Sequence, residues 1–130
     1  LLVNGYTEEA WKGAYKWSTE ACERLAKHIE GGVVIGHNIK FDIGFLKALF
    51  QRYKVKCKFP PEIDTKSLAM ILWGDEGLNS LSMDSIRKHV GLSNIGAHTA
   101  LKDTKDCMFI WEMFQARCFQ KSLNKKQSQP

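Results

Sequence analysis

No apolar stretch in these 130 residues approaches the length that crosses a membrane, and nothing resembles a signal peptide. No membrane role is expected, and the cysteine usage is that of a cytoplasmic protein. Cysteines are few: Cys22, Cys57, Cys107 and Cys118, with no pair at C-x-x-C spacing. A disulfide framework and a zinc site are therefore not expected, and the four are read as reduced thiols, with Cys107 in the core. Acidic residues are absent from 117–130, a segment that holds Arg117, Lys121, Lys125 and Lys126. Residues 1–116 are nearly neutral, so the net charge of +5 sits mostly in the tail. Such a tail can touch phosphates or can simply be solvated. There is no internal repeat, and the chain opens on Leu1 instead of Met.

What is present is ordinary for one soluble domain: 44% apolar and 25% charged residues. The expected organisation is a domain over 1–119 and a basic, disordered tail over 120–130. Thr7 can cap a short helix beginning at Glu8. Ser18 or Thr19 starts a second helix that Gly31-Gly32 ends, with Ala21, Leu25, His28 and Ile29 near one face. The apolar run Val33 to His37 suits a buried strand. A helix follows from about Lys40 to Tyr53. In "KVKCKF", lysines alternate with Val55, Cys57 and Phe59, so it is an edge strand with lysines outward or a basic loop. Pro60-Pro61 ends it. "EIDT" reads as a second short strand, Thr65 to Trp73 as a helix, and Ser82 to Val90 as a helix closed by Gly91. A long helix spans Thr99 to about Phe119. The expected class is α/β with a very small parallel sheet. Trp11, Trp17 and Trp73 are read as core.

Two carboxylates sit in awkward places. At 100° per residue, Phe45, Leu46, Leu49 and Tyr53 lie within ~60° of Asp42. Ala100, Cys107, Ile110 and Phe114 cluster likewise about Asp103. Each aspartate thus heads an apolar stripe near a helix start, whereas Asp106, one turn after Lys102, reads as a surface residue. A carboxylate facing a core is costly unless it is paired, hydrogen-bonded or bound to a metal. Either each caps its helix or pairs with a lysine, or the two serve one site. Oxygen ligands of this kind suit Mg²⁺ or Mn²⁺.

"HNIKFD", His37 to Asp42, matches H-N-x-x-F-D, and "HTALKD", His98 to Asp103, matches H-x-A-x-x-D. In this order they resemble the second and third motifs of the DEDDh 3′→5′ exonucleases, a superfamily that includes proofreading subunits of DNA polymerase III and RNase T. "VNGYTEEAWKGA", "DIGFLKALFQRY", "IDTKSLA" and "NSLSMDSIRKHVGL" extend the likeness over roughly residues 3–115. The resemblance implies an RNase H-like fold and two divalent ions, Mg²⁺ or Mn²⁺. It implies that Asp103 ligates a metal directly, that Asp42 supports the metals, and that His98 is the general base. His37, Asn38 and Phe41 match positions that line the pocket for the 3′-terminal nucleotide. The implied partner is a single-stranded 3′ end of DNA or RNA, with a polymerase or a second copy of the chain as a further possibility. Blander alternatives stand beside these. His98 can cap its helix, His37 can be a satisfied core histidine, Phe41 can be packing, and Asp64 can be a turn or cap residue.

The motif that opens the family pattern, D-x-E on the first strand, has no counterpart here. The acids ahead of Asp42 are Glu8, Glu9, Glu20, Glu23 and Glu30, all in helical contexts. Two expectations follow. The chain is an inactive piece, the C-terminal two-thirds of an exonuclease domain, or it is a complete module that binds nucleic acid or a partner without catalysis.

Overall fold

A computed structural model describes residues 7–9, 12–14 and 16–127, the last seven of them by backbone alone. The helix expected from Thr7 runs into residues outside this range, as does Trp11. The chain divides into two compact units, residues 1–64 and 65–130, where the sequence reading has one domain over 1–119.

In the first unit, α1 (Thr19–Ile29) begins where Ser18 accepts a hydrogen bond from the Ala21 amide at 3.1 Å. Its inner face is Cys22 and Ala26, flanked by Leu25 and Ile29, and His28 is exposed. The expected face is thus turned by one position: small Cys22 and Ala26 let the helix approach Phe50. β1 (Val34–Gly36) pairs in parallel with β2 (Glu62–Asp64), Ile35 opposite Ile63 and Gly36 opposite Asp64. This is the very small parallel sheet that the apolar runs predict. At Gly36 a Cβ would stand 2.6 Å from Ile39 Cδ1, so any other residue would have to displace that buried side chain. α2 (Ile39–Arg52) follows, with Ile39, Ile43 and Phe50 buried. "KVKCKF" is a loop, not a strand, yet its alternation survives. The lysines are exposed while Val55, Cys57 and Phe59 pack on the cluster of Cys22, Ala26 and Phe50. The Lys58 amide, held by Glu30 Oε1 at 2.9 Å, takes the place of a ladder bond.

In the second unit, α3 (Thr65–Trp73) buries Leu68, Ala69, Leu72 and Trp73. A 3₁₀ turn over Gly74–Glu76 leads to α4 (Met83–Val90). Ser82 caps α4 by accepting from the Ser85 amide at 3.2 Å, and Gly91 ends it at φ 73°. Both α3 and α4 contact α5 (Ala100–Gln127). The backbone of 120–127, expected as a disordered tail, continues α5. Trp73 is core as anticipated, but Trp17 is 51% exposed. Cys107 is buried, and none of the four cysteines is in a disulfide.

Candidate active-site residues

Each expected residue is placed within its own unit. In the first, the strand-to-helix turn after β1 carries His37, Asn38, Phe41 and Asp42. Asn38 adopts the left-handed conformation (φ 60°, ψ 43°) that a tight entry into α2 requires, and asparagine tolerates it better than most side chains. Its side chain makes no capping bond; its amide donates to Asp64 Oδ1 at 3.0 Å. Asp64 is therefore the residue that ties β2 to this turn, which is the structural role read from "EIDT". His37 is half-buried at the strand end.

Asp42 departs from expectation. It is exposed, not turned into a core, because the side of the first turns of α2 that carries Phe41, Asp42 and Phe45 is uncovered in this unit, while Ile39 and Ile43 face inward. Phe41 is 63% and Phe45 65% exposed, and their rings meet edge to face at 4.9 Å. The apolar stripe that Asp42 heads becomes half-buried only further along, at Leu46, Leu49 and Tyr53. Trp17 joins Phe45, Leu46 and Leu49 to line an open apolar groove beside it.

In the second unit, His98 and Asp103 flank the start of α5. His98 lies in the left-handed region (φ 65°) at the end of a loop folded on itself. In that loop the Ala97 amide donates to the Asn94 carbonyl, and Thr99 Oγ1 donates to the Gly96 carbonyl at 2.7 Å. Thr99, not His98, caps the helix: its hydroxyl accepts from the Lys102 amide at 3.4 Å and its carbonyl accepts from the Asp103 amide at 3.0 Å. The capping alternative for His98 is thereby taken by its neighbour, and the imidazole is left exposed with Nε2 3.8 Å from Asp84 Oδ2.

The centre of this region is a residue that sequence reasoning missed. Arg87, on α4, is buried to 1% exposure and reaches three carboxylates. Its Nε donates to Asp106 Oδ2 at 2.8 Å, its Nη1 to Asp84 Oδ1 at 2.8 Å, and its Nη2 to Asp103 Oδ1. Lys102 donates to the other oxygen of Asp106. Asp106, read from sequence as a surface residue, is buried. It lies about 60° round the helix from Asp103 and about 40° from Ile110, inside the arc that α5 turns toward α4. Burial by itself pulls the Arg87 guanidinium down. The hydrogen bonds to Asp106, Asp103 and Asp84 and the attraction of Asp106 outweigh it, and its pKa lies above the ordinary value. The trace it leaves in the sequence is its place one turn after Asp84; the packing of α4 against the aspartates of α5 is not readable there.

Asp103 is half-exposed, its side chain 43% accessible. Its carboxylate has one oxygen on Arg87 and the other free of hydrogen bonds among the described residues. Oxygen donors of this type suit a hard divalent cation. Among the described residues, however, no group of three or more histidines, cysteines, aspartates or glutamates is arranged to hold a metal ion.

A family model described as an exonuclease matches residues 2–110. The chain is 27% identical over 105 residues to a DNA polymerase III PolC-type of Pediococcus pentosaceus, covering 81% of this chain and 7% of that protein. It is 27% identical over 89 residues to a DNA polymerase III subunit epsilon of Treponema pallidum, 68% of this chain and 41% of that protein. It is 40% identical over 78 residues to a Ribonuclease T of Buchnera aphidicola, 56% of this chain and 33% of that protein. No solved structure matches. The chain thus spans a small part of the PolC-type relatives and less than half of the other two.

Proposed function

The chain belongs to the exonuclease family, and from that premise we propose that it carries the second and third motifs of a 3′→5′ exonuclease centre acting on DNA or RNA. The family's fold is the RNase H-like α/β type, to which the parallel β1–β2 pair conforms. The observation that carries the proposal is the placement of His98 and Asp103 on either side of the first turn of α5, inside the matched segment, both accessible to a ligand.

In this reading Asp103 is a direct metal ligand through its unengaged oxygen, and Asp42 is a supporting one. The exposed His98 imidazole takes the proton of the attacking water, and the folded loop before it lets it reach outward. Bound Mg²⁺ or Mn²⁺ would neutralise phosphate charge and favour the nucleophilic form of water. Phe41 offers an open ring face to a terminal base, while His37 and Asn38 contact the terminal nucleotide. The partner is a single-stranded 3′ end, and the PolC-type and epsilon relatives favour a polymerase as a further partner. No helix among the described residues is long and apolar enough to cross a membrane.

On this reading Asp42 and Asp103 are two of the family's four carboxylates. The 130-residue chain by itself is accordingly expected to bind metal weakly and to trim little. The second reading is a module that binds nucleic acid or a partner without chemistry. Reading the coding sequence ahead of Leu1 separates the two. An in-frame D-x-E after an apolar strand supports the enzyme; a stop codon followed closely by a start codon supports the module. In a polypeptide that joins this chain to a D-x-E strand, His98→Ala or Asp103→Ala is expected to reduce Mg²⁺-dependent trimming of a labelled oligonucleotide by several orders of magnitude. Trimming that survives either change refutes the assigned roles.

A further inference from the structure

We propose that Arg87 is a positioning residue for Asp103: its guanidinium holds one carboxylate oxygen in place and leaves the other as the oxygen presented to a divalent cation. The inference rests on the reading of Asp103 as a metal ligand.

The three aspartates around Arg87 are not used alike. Asp106 spends both oxygens on cations of its own unit, Oδ2 on Arg87 and Oδ1 on Lys102, and it is buried. It anchors the guanidinium. Asp84 gives Oδ1 to Arg87 and turns Oδ2 toward His98. Asp103 gives Oδ1 to Arg87, is half-exposed, and keeps Oδ2 without a hydrogen bond among the described residues. Asp84 Oδ2 is also outside hydrogen-bond reach but faces the His98 imidazole at 3.8 Å, whereas Asp103 has no charged partner other than Arg87 among the described residues.

A guanidinium is planar and its N–H groups diverge at fixed angles. Three contacts on three nitrogens therefore fix its plane, and the contact to Asp103 fixes that carboxylate in turn. An aspartate at an exposed helix start otherwise samples several rotamers. A single oxygen, held ready, is what a magnesium-like ion takes from a carboxylate. The local charge permits it: three carboxylates face Arg87 and Lys102, leaving one negative charge. Partners that orient a ligating group typically change metal affinity by about 10–100-fold when removed. The opposing possibility is that Arg87 merely neutralises Asp103 and competes with the cation.

The test uses the chain itself, isotopically labelled, and reads the Asp103 side chain by NMR: three-bond couplings for its χ1 rotamer and the carboxyl carbon signal. Metal-free wild type is expected to show one rotamer. Arg87→Lys keeps the charge and loses the fork. It is expected to show an averaged rotamer, with the Mn²⁺ concentration that broadens Asp103 raised by about 10–100-fold. Asp106→Asn is expected to shift both readings in the same direction by less. A purely structural Arg87 would lower the melting temperature and leave the Asp103 rotamer of the folded protein unchanged. That result, an averaged Asp103 in folded wild type, or tighter Mn²⁺ binding in Arg87→Lys, overturns the proposal. If Arg87→Lys does not fold, the wild-type rotamer and Asp106→Asn decide it. A fixed Asp103 that Mn²⁺ does not broaden contradicts its assignment as a metal ligand while the hold by Arg87 stands.

Discussion

Arg87 and Asp106 form a buried ion pair, and removing Asp106 takes from the dry guanidinium its buried partner and leaves it only the half-exposed Asp103 and the exposed Asp84. Such losses typically amount to roughly 3–5 kcal/mol. Asp106→Ala is therefore expected to destabilise the chain by about that much. Asp84→Ala, which removes an exposed partner of the same guanidinium, is expected to stay under about 1 kcal/mol. Urea unfolding of the two variants checks the contrast, and equal losses would mean that Asp106 is not the anchor. The cysteines offer a second test at this scale. Burial, and to a lesser degree the negative charge of Glu30, push the Cys57 thiol up from its ordinary value, while Cys118 is exposed. Because the thiolate is the nucleophile, iodoacetamide near neutral pH should modify Cys118 first and Cys57 later. Peptide mass mapping after brief alkylation reads the order.

The helices are set by their ends. Ser82 accepts from the Ser85 amide, and Ser82→Ala is expected to lower stability by about 1 kcal/mol, as N-cap losses do. Gly91 ends the same helix at φ 73°, where alanine would be strained by roughly 1–2 kcal/mol. Thermal melts of the two variants check both figures. These local signals explain why much of the secondary structure was legible. Ser18, Ser82 and Gly91 are chemical punctuation, "VVIG" is an apolar run too short for a helix, and "EID" is a short segment set off by Pro60-Pro61. The end of α5 was not legible, because the polar residues beyond Phe119 carry no stop signal and none of the periodicity that marks a packed face. The loop "KVKCKF" shows the same limit from the other side: alternation reports which side chains are inward, not whether the backbone has a strand partner.

At the scale of the whole molecule, the two motifs were legible because their spacing is chemical: His, Asn and Asp at a strand-to-helix turn, and His and Asp across a helix start. The burial of their carboxylates was not. Asp42 heads a stripe whose first turns are open at Phe41 and Phe45, and whether a stripe is covered depends on what packs there. Arg87 was invisible for a related reason, since its role exists only once α4 lies against α5. The function itself is tested most directly by following a 3′-labelled single-stranded oligonucleotide with Mg²⁺ or Mn²⁺, using this chain alone and this chain joined to a D-x-E strand. The expected result is little trimming by the first and stepwise, chelator-sensitive loss from the 3′ end by the second, abolished by Asp103→Asn. Robust chelator-sensitive trimming by the 130-residue chain alone, or trimming by the joined form that Asp103→Asn leaves intact, would contradict the account.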